Sequence, residues 1–296
     1  MIYFEPSDHT YRLDDPINGQ LCISATTFIG LFKSDYDVEF WSYYTALRNA
    51  LGMTKPEFSR HLIVKFKYSF KDVKDNTTEQ NKELITEIAY YSGVSPEELL
   101  YHQRKVKLEW GAENLKSQKK GTAFHNHKEG EIYSDNGMNY EGIFAKLTED
   151  TDDLSLLHDP EHIVIAPELR MFNRENLVSG SADMVYIYPS KKIDINDWKT
   201  NKKISVENKY DKMKYPLQHL DDCNYNHYRL QVSLYAWMLE QWGYTPNSLK
   251  FTHVNIDEDN NILDQVEYHT HYMKKEIENM LAYYKQNKEL LLSKKK

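Results

Sequence analysis

Residues 177–200, LVSGSADMVYIYPSKKIDINDWKT, constrain the chain more than any other stretch. Two runs, 178–188 and 192–200, alternate apolar and polar residues with a period of two, which predicts strands. Pro189-Ser190-Lys191 between them predicts a short turn. A hairpin with its loop at 189–191 sets Tyr188 opposite Lys192 and, counting back, Asp183 opposite Asp197. Successive strand side chains point to opposite faces. Asp183, Asp197 and Lys199 therefore share a face with Val185, Ile187, Ile193 and Ile195, and Trp198 points the other way. Directly opposed side chains have Cβ atoms about 5 Å apart. Two carboxylates that close on a half-buried face repel, and a divalent cation between them removes the cost. Asp183 and Asp197 are thus candidate metal ligands, with the Lys199 ammonium beside them.

The rest of the chain supplies elements around this hairpin. Residues 1–29 read as a small strand unit: Ile2-Tyr3-Phe4, Thr10-Tyr11-Arg12-Leu13 and 21–24, followed by Ser24-Ala25-Thr26-Thr27 leading into a helix. Residues 35–120 read as helical with breaks. Apolar residues recur at helical spacing over 38–51, Pro56 and Gly93 punctuate, and Ser95-Pro96 starts a helix. Within this region KFKYSFKDVK, residues 65–74, is basic and aromatic. Such a stretch can touch a phosphate backbone, but the solvated amphipathic reading is the stronger. After Gly121-Thr122-Ala123-Phe124-His125, His125 and Glu129 lie four apart, one turn apart on one helical face. Residues 137–160 are polar and acidic, a loop or short helix. Residues 163–173 read as a strand carrying Glu168. After the hairpin, 201–226 is polar and broken by Pro216, and reads as a helix plus a mobile loop over the site. HYRLQVSLYAWMLEQW, 227–242, is a strong helix with Gln231 and Tyr235 one turn apart. Strands at 249–256 and 262–268, joined by a turn at 257–261, and a helix at 272–292 with a lysine tail complete the chain.

Asp183 followed by Asp197-Trp198-Lys199 resembles the D…(D/E)xK core of the PD-(D/E)xK nucleases. GSADMVYIY…DWKT is most similar to their RecB-type, lambda-exonuclease-like branch, and similar also to the mitochondrial genome-maintenance exonuclease. G-T-x-x-H at 121–125, a glutamate at 168, G-S-A-D at 180–183, D-W-K at 197–199 and Q-x-x-x-Y at 231–235 follow in the order of that branch. The resemblance implies an α/β (α+β) fold with a central mixed β-sheet flanked by the 121–133 and 227–242 helices, a restriction-endonuclease-like core. It implies three segments: 1–34 as the N-terminal strand unit of the core, 35–118 as a helical insertion or arch, and 119–296 as the nuclease core. It implies Mg²⁺ or Mn²⁺, one or two ions, held by His125, Asp183, Asp197 and the backbone carbonyl of Trp198, with Glu168 a further candidate. Asp183, Asp197 and Lys199 are the expected catalytic group. Gln231 and Tyr235 are expected to orient the DNA backbone or the lysine.

The expected activity is hydrolysis of phosphodiester bonds in DNA during recombination or repair, as an exonuclease. The alternative is a catalytically weak DNA-binding or assembly protein that keeps the fold. The chain carries a net charge of −8, which argues against a nucleic-acid coat protein and leaves room for a local basic groove. Lys119, Lys120, Lys202 and Lys203 are the candidate DNA contacts. Two cysteines, Cys22 and Cys223, suggest a reducing compartment and exclude a four-cysteine iron–sulfur cluster. No signal-peptide core and no long apolar run are present, so no membrane association is expected. The branch implies a cytoplasmic protein of bacterial or phage-infected cells, with phage or host recombination or replication proteins as candidate partners.

Overall fold

The computed structural model describes residues 2–5, 10–68, 76–134, 145–147 and 158–293. Most of the basic stretch at 65–74, much of the acidic stretch at 137–160 and the lysine tail lie outside the described residues. The chain divides into two compact units: Met1–Ser34 with Lys120–Lys296, and Asp35–Lys119. Among the described residues, no helix is long and apolar enough to cross a membrane.

The first unit is built on a mixed sheet. Its strands are β1 (Ile2–Glu5), β2 (Thr10–Leu13), β3 (Gln20–Ser24), β4 (Ala145–Leu147), β5 (Ile163–Asn173), β6 (Val178–Ile187), β7 (Lys192–Lys199), β8 (Thr245–Ile256) and β9 (Ile262–Thr270). They run in the order β1-β2-β3-β6-β7-β8-β9, with β5 also paired to β6 and β4 to β5. The β3–β6, β4–β5 and β7–β8 pairs are parallel, and the others are antiparallel. The hairpin register has Tyr186 opposite Asp194 and Ile187 opposite Ile193, and the Tyr188 N–H donates to the Lys192 carbonyl at 2.9 Å.

Strand β6 is shared by three partners. Strand β5 accompanies it from Val178 to Ile187. On the opposite edge, β3 takes only Val178 and Ser179, and β7 takes only Met184 to Ile187. That edge is unpaired between Ser179 and Met184, leaving a notch in the sheet.

Helices cover both faces because each face is apolar. The alternating residues Val185, Ile187, Ile193 and Ile195 pack in one core with α1 (Ala25–Gly30) and with helices Asn224–Gln241 and Lys274–Ser293. On the other face Ile165, Met184, Trp198, Val254 and Ile256 pack against Phe124 and Ile132 of helix Pro96–Ser134. Helix Asn224–Gln241 is buried from Leu230 to Leu239, as an all-round apolar run requires. Helix Lys274–Ser293 buries only Ile277, Met280, Leu281 and Tyr284, the stripe of a half-exposed helix.

The second unit is helical. Helices α2 (Val38–Ala50), α3 (Lys55–Phe66) and α4 (Thr78–Tyr91) start at Asp37, Thr54 and Thr77, each a favoured capping residue, with capping boxes at Thr54–Glu57 and Thr77–Gln80. Phe40, Tyr44, Leu47, Phe58, Leu62, Ile85 and Ile88 form its core. Tyr43 and Tyr68 are also buried there, so core packing accounts for some of the chain's 23 tyrosines. Among the described residues, the remaining helices, in order, are α5 (Pro96–Ser134), α6 (Asn224–Gln241) and α7 (Lys274–Ser293).

Three local readings differ from the sequence expectation. Gly121 does not begin a helix; it lies inside α5. One glycine costs a helix interior about 1 kcal/mol, too little to break a run otherwise rich in good helix formers. Strand β4 falls in a stretch expected to be loop or helix, and it pairs in parallel with β5. Residues 200–223 hold no helix. They are pinned by side chains instead: Asp222 Oδ2 accepts from the Ser34 N–H and hydroxyl at 2.5 Å each, and its Oδ1 lies 2.5 Å from His227 Nε2. Burial pushes the Asp222 carboxyl up, but the His227 and Ser34 bonds outweigh it and hold the group below the usual carboxylate range. Replacing it leaves part-buried donors without an acceptor. Asp222→Ala is expected to lower the unfolding free energy of the full chain by about 1–3 kcal/mol in urea titration, with faster amide exchange at Ser34.

Candidate functional site

A cleft of about 450 Å³ lies at the notch in the sheet. Its wall draws on α5 (Gly121, Thr122, His125), β5 (Glu168, Arg170), β6 (Gly180, Asp183), β7 (Asp197, Lys199) and α6 (Gln231, Tyr235). Residues scattered over more than a hundred positions of sequence thus meet in one place. Ser24 and Thr26 from the N-terminal strand unit join them.

The cleft is shaped by a break in strand alternation. Pro167 pairs with Met184 and Leu169 with Ala182, so Glu168 stands across from Asp183, yet that pair makes no ladder contact. Glu168 has φ 47°, a left-handed conformation that costs a non-glycine residue about 1–2 kcal/mol. Ala166 and Leu169, three apart, belong to the same core, as do Ala182 and Val185. Strict alternation forbids that spacing. Both strands therefore switch faces at the Glu168–Asp183 step, and both carboxylates are turned out of the regular pleat. This corrects the simple expectation that Asp183 sits in an unbroken row with Val185 and Ile187.

The β6–β7 ladder also stops one step short of Asp183 and Asp197, at Met184 and Asn196. In place of a cross-strand backbone acceptor, the Trp198 N–H donates to Asp183 Oδ2 at 2.6 Å. The other oxygen, Oδ1, lies 3.2 Å from His125 Nδ1, and Glu168 Oε1 lies 3.5 Å from the same nitrogen. The Ser181 hydroxyl donates to Glu168 Oε2 at 3.1 Å.

His125, Glu168 and Asp183 offer ligand atoms within 4.8 Å of one another. Two hard carboxylate oxygens with one imidazole nitrogen form a donor set that could hold a divalent cation. Burial works against a charged His125, but the Asp183 and Glu168 carboxylates outweigh it and raise its pKa to about 10. A proton on the imidazole here neutralises the position that a cation would neutralise.

Asp197 stands outside that cluster. Its carboxylate pairs with the Lys199 ammonium, and both side chains are largely buried. Burial, then the nearby Asp183, pushes the Asp197 carboxyl up, against the pull of Lys199 and His125. Burial opposes the Lys199 ammonium, but Asp197 and Asp183 outweigh it and its pKa is raised. The ammonium also sits 4.8 Å from the centroid of the Tyr228 ring, whose hydroxyl donates to Asn201 Oδ1 at 2.6 Å. The Trp198 indole packs edge-on against Phe124, centroids 6.2 Å apart.

On α6, Gln231 Nε2 donates to Tyr235 Oη at 2.7 Å, both residues buried. Burial and then the Asp197 charge drive the Tyr235 phenol well above its ordinary pKa, so it remains a donor. Gly180 makes this arrangement fit. A Cβ there would stand 2.7 Å from Tyr235 Cε1 and 3.1 Å from the Ala25 Cβ.

The lysines expected to contact DNA are not part of the cleft wall. Lys120 Nζ donates to the Ile256 carbonyl at 3.0 Å. Lys202 and Lys203 are exposed, as is Lys119, which belongs to the other unit. Sequence reasoning did not single out Tyr11, Arg170, Ser181 or Tyr228. Ser181 lies within the G-S-A-D motif without having been assigned a role, and the other three reach the site through cross-strand or helix–strand neighbours. No protein-family model matches the chain, and no curated protein matches it.

Gly180→Ala should cost about 1–3 kcal/mol by overpacking. Gly121→Ala, whose Cβ meets only Thr200 Oγ1 at 3.4 Å, should gain up to about 1 kcal/mol from helix propensity; paired urea titrations test both. Mn²⁺ binding should release a proton and tighten as pH rises from about 6 to 8, because a ligating imidazole must be neutral. Calorimetry in buffers of differing ionisation enthalpy reads that proton, and His125→Ala should remove it.

Proposed function

We propose that this protein is a metal-dependent DNA nuclease of the PD-(D/E)xK type, acting as an exonuclease in DNA recombination or repair. One observation carries the reading: residues from each of the G-T-x-x-H, Glu, G-S-A-D, D-W-K and Q-x-x-x-Y motifs line a single cleft, with His125, Glu168 and Asp183 clustered at ligand distance. A bound Mg²⁺ or Mn²⁺, one or two ions, would polarise the scissile phosphate and make bound water a better nucleophile.

The chain's own residues divide the remaining work. Asp183 and Glu168, with His125, would hold the cation, and Asp197 adds carboxylate charge beside them. Lys199 stays protonated, so it is a donor and a fixed positive charge, not a base. It orients the attacking water and offsets charge developing on the phosphate. Tyr228 and Asp197 hold that ammonium from two sides. Gln231 donates to the Tyr235 oxygen and leaves the phenol proton to donate toward the DNA backbone. Exposed Lys202 and Lys203, which follow Lys199 in sequence, contact phosphates farther along the strand. The expected setting is the cytoplasm of a bacterial or phage-infected cell.

The test is digestion of end-labelled single- and double-stranded DNA, linear and circular, with Mg²⁺, Mn²⁺ or EDTA. Metal-dependent loss of label from linear DNA is expected. Lys199→Ala should cut at least about 100-fold more slowly while still binding Mn²⁺ in calorimetry. Asp183→Ala should lose both metal and cleavage. Cleavage by Lys199→Ala at the wild-type rate, or unchanged Mn²⁺ affinity in Asp183→Ala, overturns the assignment.

A further inference from the structure

We infer that Arg170 is a phosphate-binding residue of this cleft, taking the phosphate next to the one that is cut. The inference rests on the nuclease reading and names a specificity contact within it.

The cleft wall is acidic. Glu129, Glu168, Asp183 and Asp197 face it, against the cations Lys199 and Arg170 and the titratable His125. Lys199 is committed to Asp197, and His125 to Asp183 and Glu168. Arg170 differs: among the described residues it forms no ion pair, and its side chain is exposed at the cleft. A polyanion entering such a wall needs an uncommitted positive charge, and Arg170 supplies one.

Its neighbours are aromatic. The guanidinium lies 5.8 Å from the centroid of the Phe4 ring. Phe4 is opposed to Tyr11 across the β1–β2 ladder, their rings 4.7 Å apart. A ring face attracts the guanidinium without neutralising it. The side chain is thus oriented while its N–H fork remains available to two phosphate oxygens. A carboxylate partner would have consumed that fork.

The position along the strand fits an adjacent phosphate. Arg170 lies two residues beyond Glu168 on β5, roughly 7 Å of strand rise. Both residues line the same cleft. A nucleotide strand whose scissile phosphate sits at His125, Glu168 and Asp183 would bring its neighbouring phosphate to Arg170.

The experiment pairs protein and ligand changes. Short labelled single-stranded oligonucleotides carry one neutral methylphosphonate at each position in turn. Wild type, Arg170→Ala and Arg170→Lys are assayed with Mn²⁺ for KM and kcat, and by polarisation with Ca²⁺. For wild type, one methylphosphonate position beside the cut should raise KM about tenfold. Arg170→Ala should raise KM on the natural strand by a similar factor, leave kcat within about twofold, and lower the slope of log affinity on log salt by about one. The same methylphosphonate should then cost Arg170→Ala nothing further. Arg170→Lys should recover part of the affinity. Additive losses, or wild-type KM in Arg170→Ala, overturn the assignment to Arg170 and leave the nuclease reading standing. A wild-type protein that neither binds nor cuts DNA overturns both.

Discussion

The site depends on one step in the sheet, where β5 and β6 cross at Glu168 and Asp183 without pairing. The left-handed Glu168 and the face switch on both strands remove two carboxylates from the pleat. Backbone strain of this sort persists only where surrounding packing over-determines it. Here Leu169, Met171 and Ala182 on one side of the step, and Val164, Ala166 and Val185 on the other, are all buried in the same core. Neither strand can straighten without pulling apolar side chains into water.

Electrostatics at this step are built from opposed costs. Asp183 and Asp197 are buried, and burial together with the Asp183 charge raises the cost of ionising Asp197. The structure meets that cost with an imidazolium, an ammonium and the Trp198 N–H. A divalent cation held by His125, Glu168 and Asp183, as proposed above, would meet the same cost. The overall charge of −8 has little bearing on binding at this scale. What matters is which charges in the cleft are already committed to partners, since surface charge farther than a Debye length away is screened.

Packing and chemistry are joined through α6. Tyr235 is at once a core residue and a cleft donor, and it can stand there because Gly180 presents no side chain. Glycine at that position is a matter of space: the ring of Tyr235 occupies what a Cβ would fill. Helix α6 is apolar on nearly every side because it lies between the sheet and α7, so its two polar cleft residues, Gln231 and Tyr235, satisfy each other.

Local pattern was enough to read the strands around Tyr188 and Lys192, the hairpin register, the helix carrying Gln231 and Tyr235, and the charged end of β7. Those features depend on neighbours two to four residues away, and side-chain periodicity records them directly. The extent of α5 through Gly121, the parallel pairing of β4 and the pinned course of 200–223 were not legible, because each is decided by contacts with distant segments. The same holds within the cleft. Asp183, Asp197 and Lys199 declare themselves by spacing, whereas Arg170 over Phe4, Tyr228 under Lys199 and the left-handed turn of Glu168 belong to no short pattern. The sequence determined which residue types meet on each strand and helix. Only the tertiary structure decided that β6 leaves an edge unpaired between β3 and β7, and that two strands switch faces there, because a sheet's unpaired edge is a property of its neighbours and not of the strand itself.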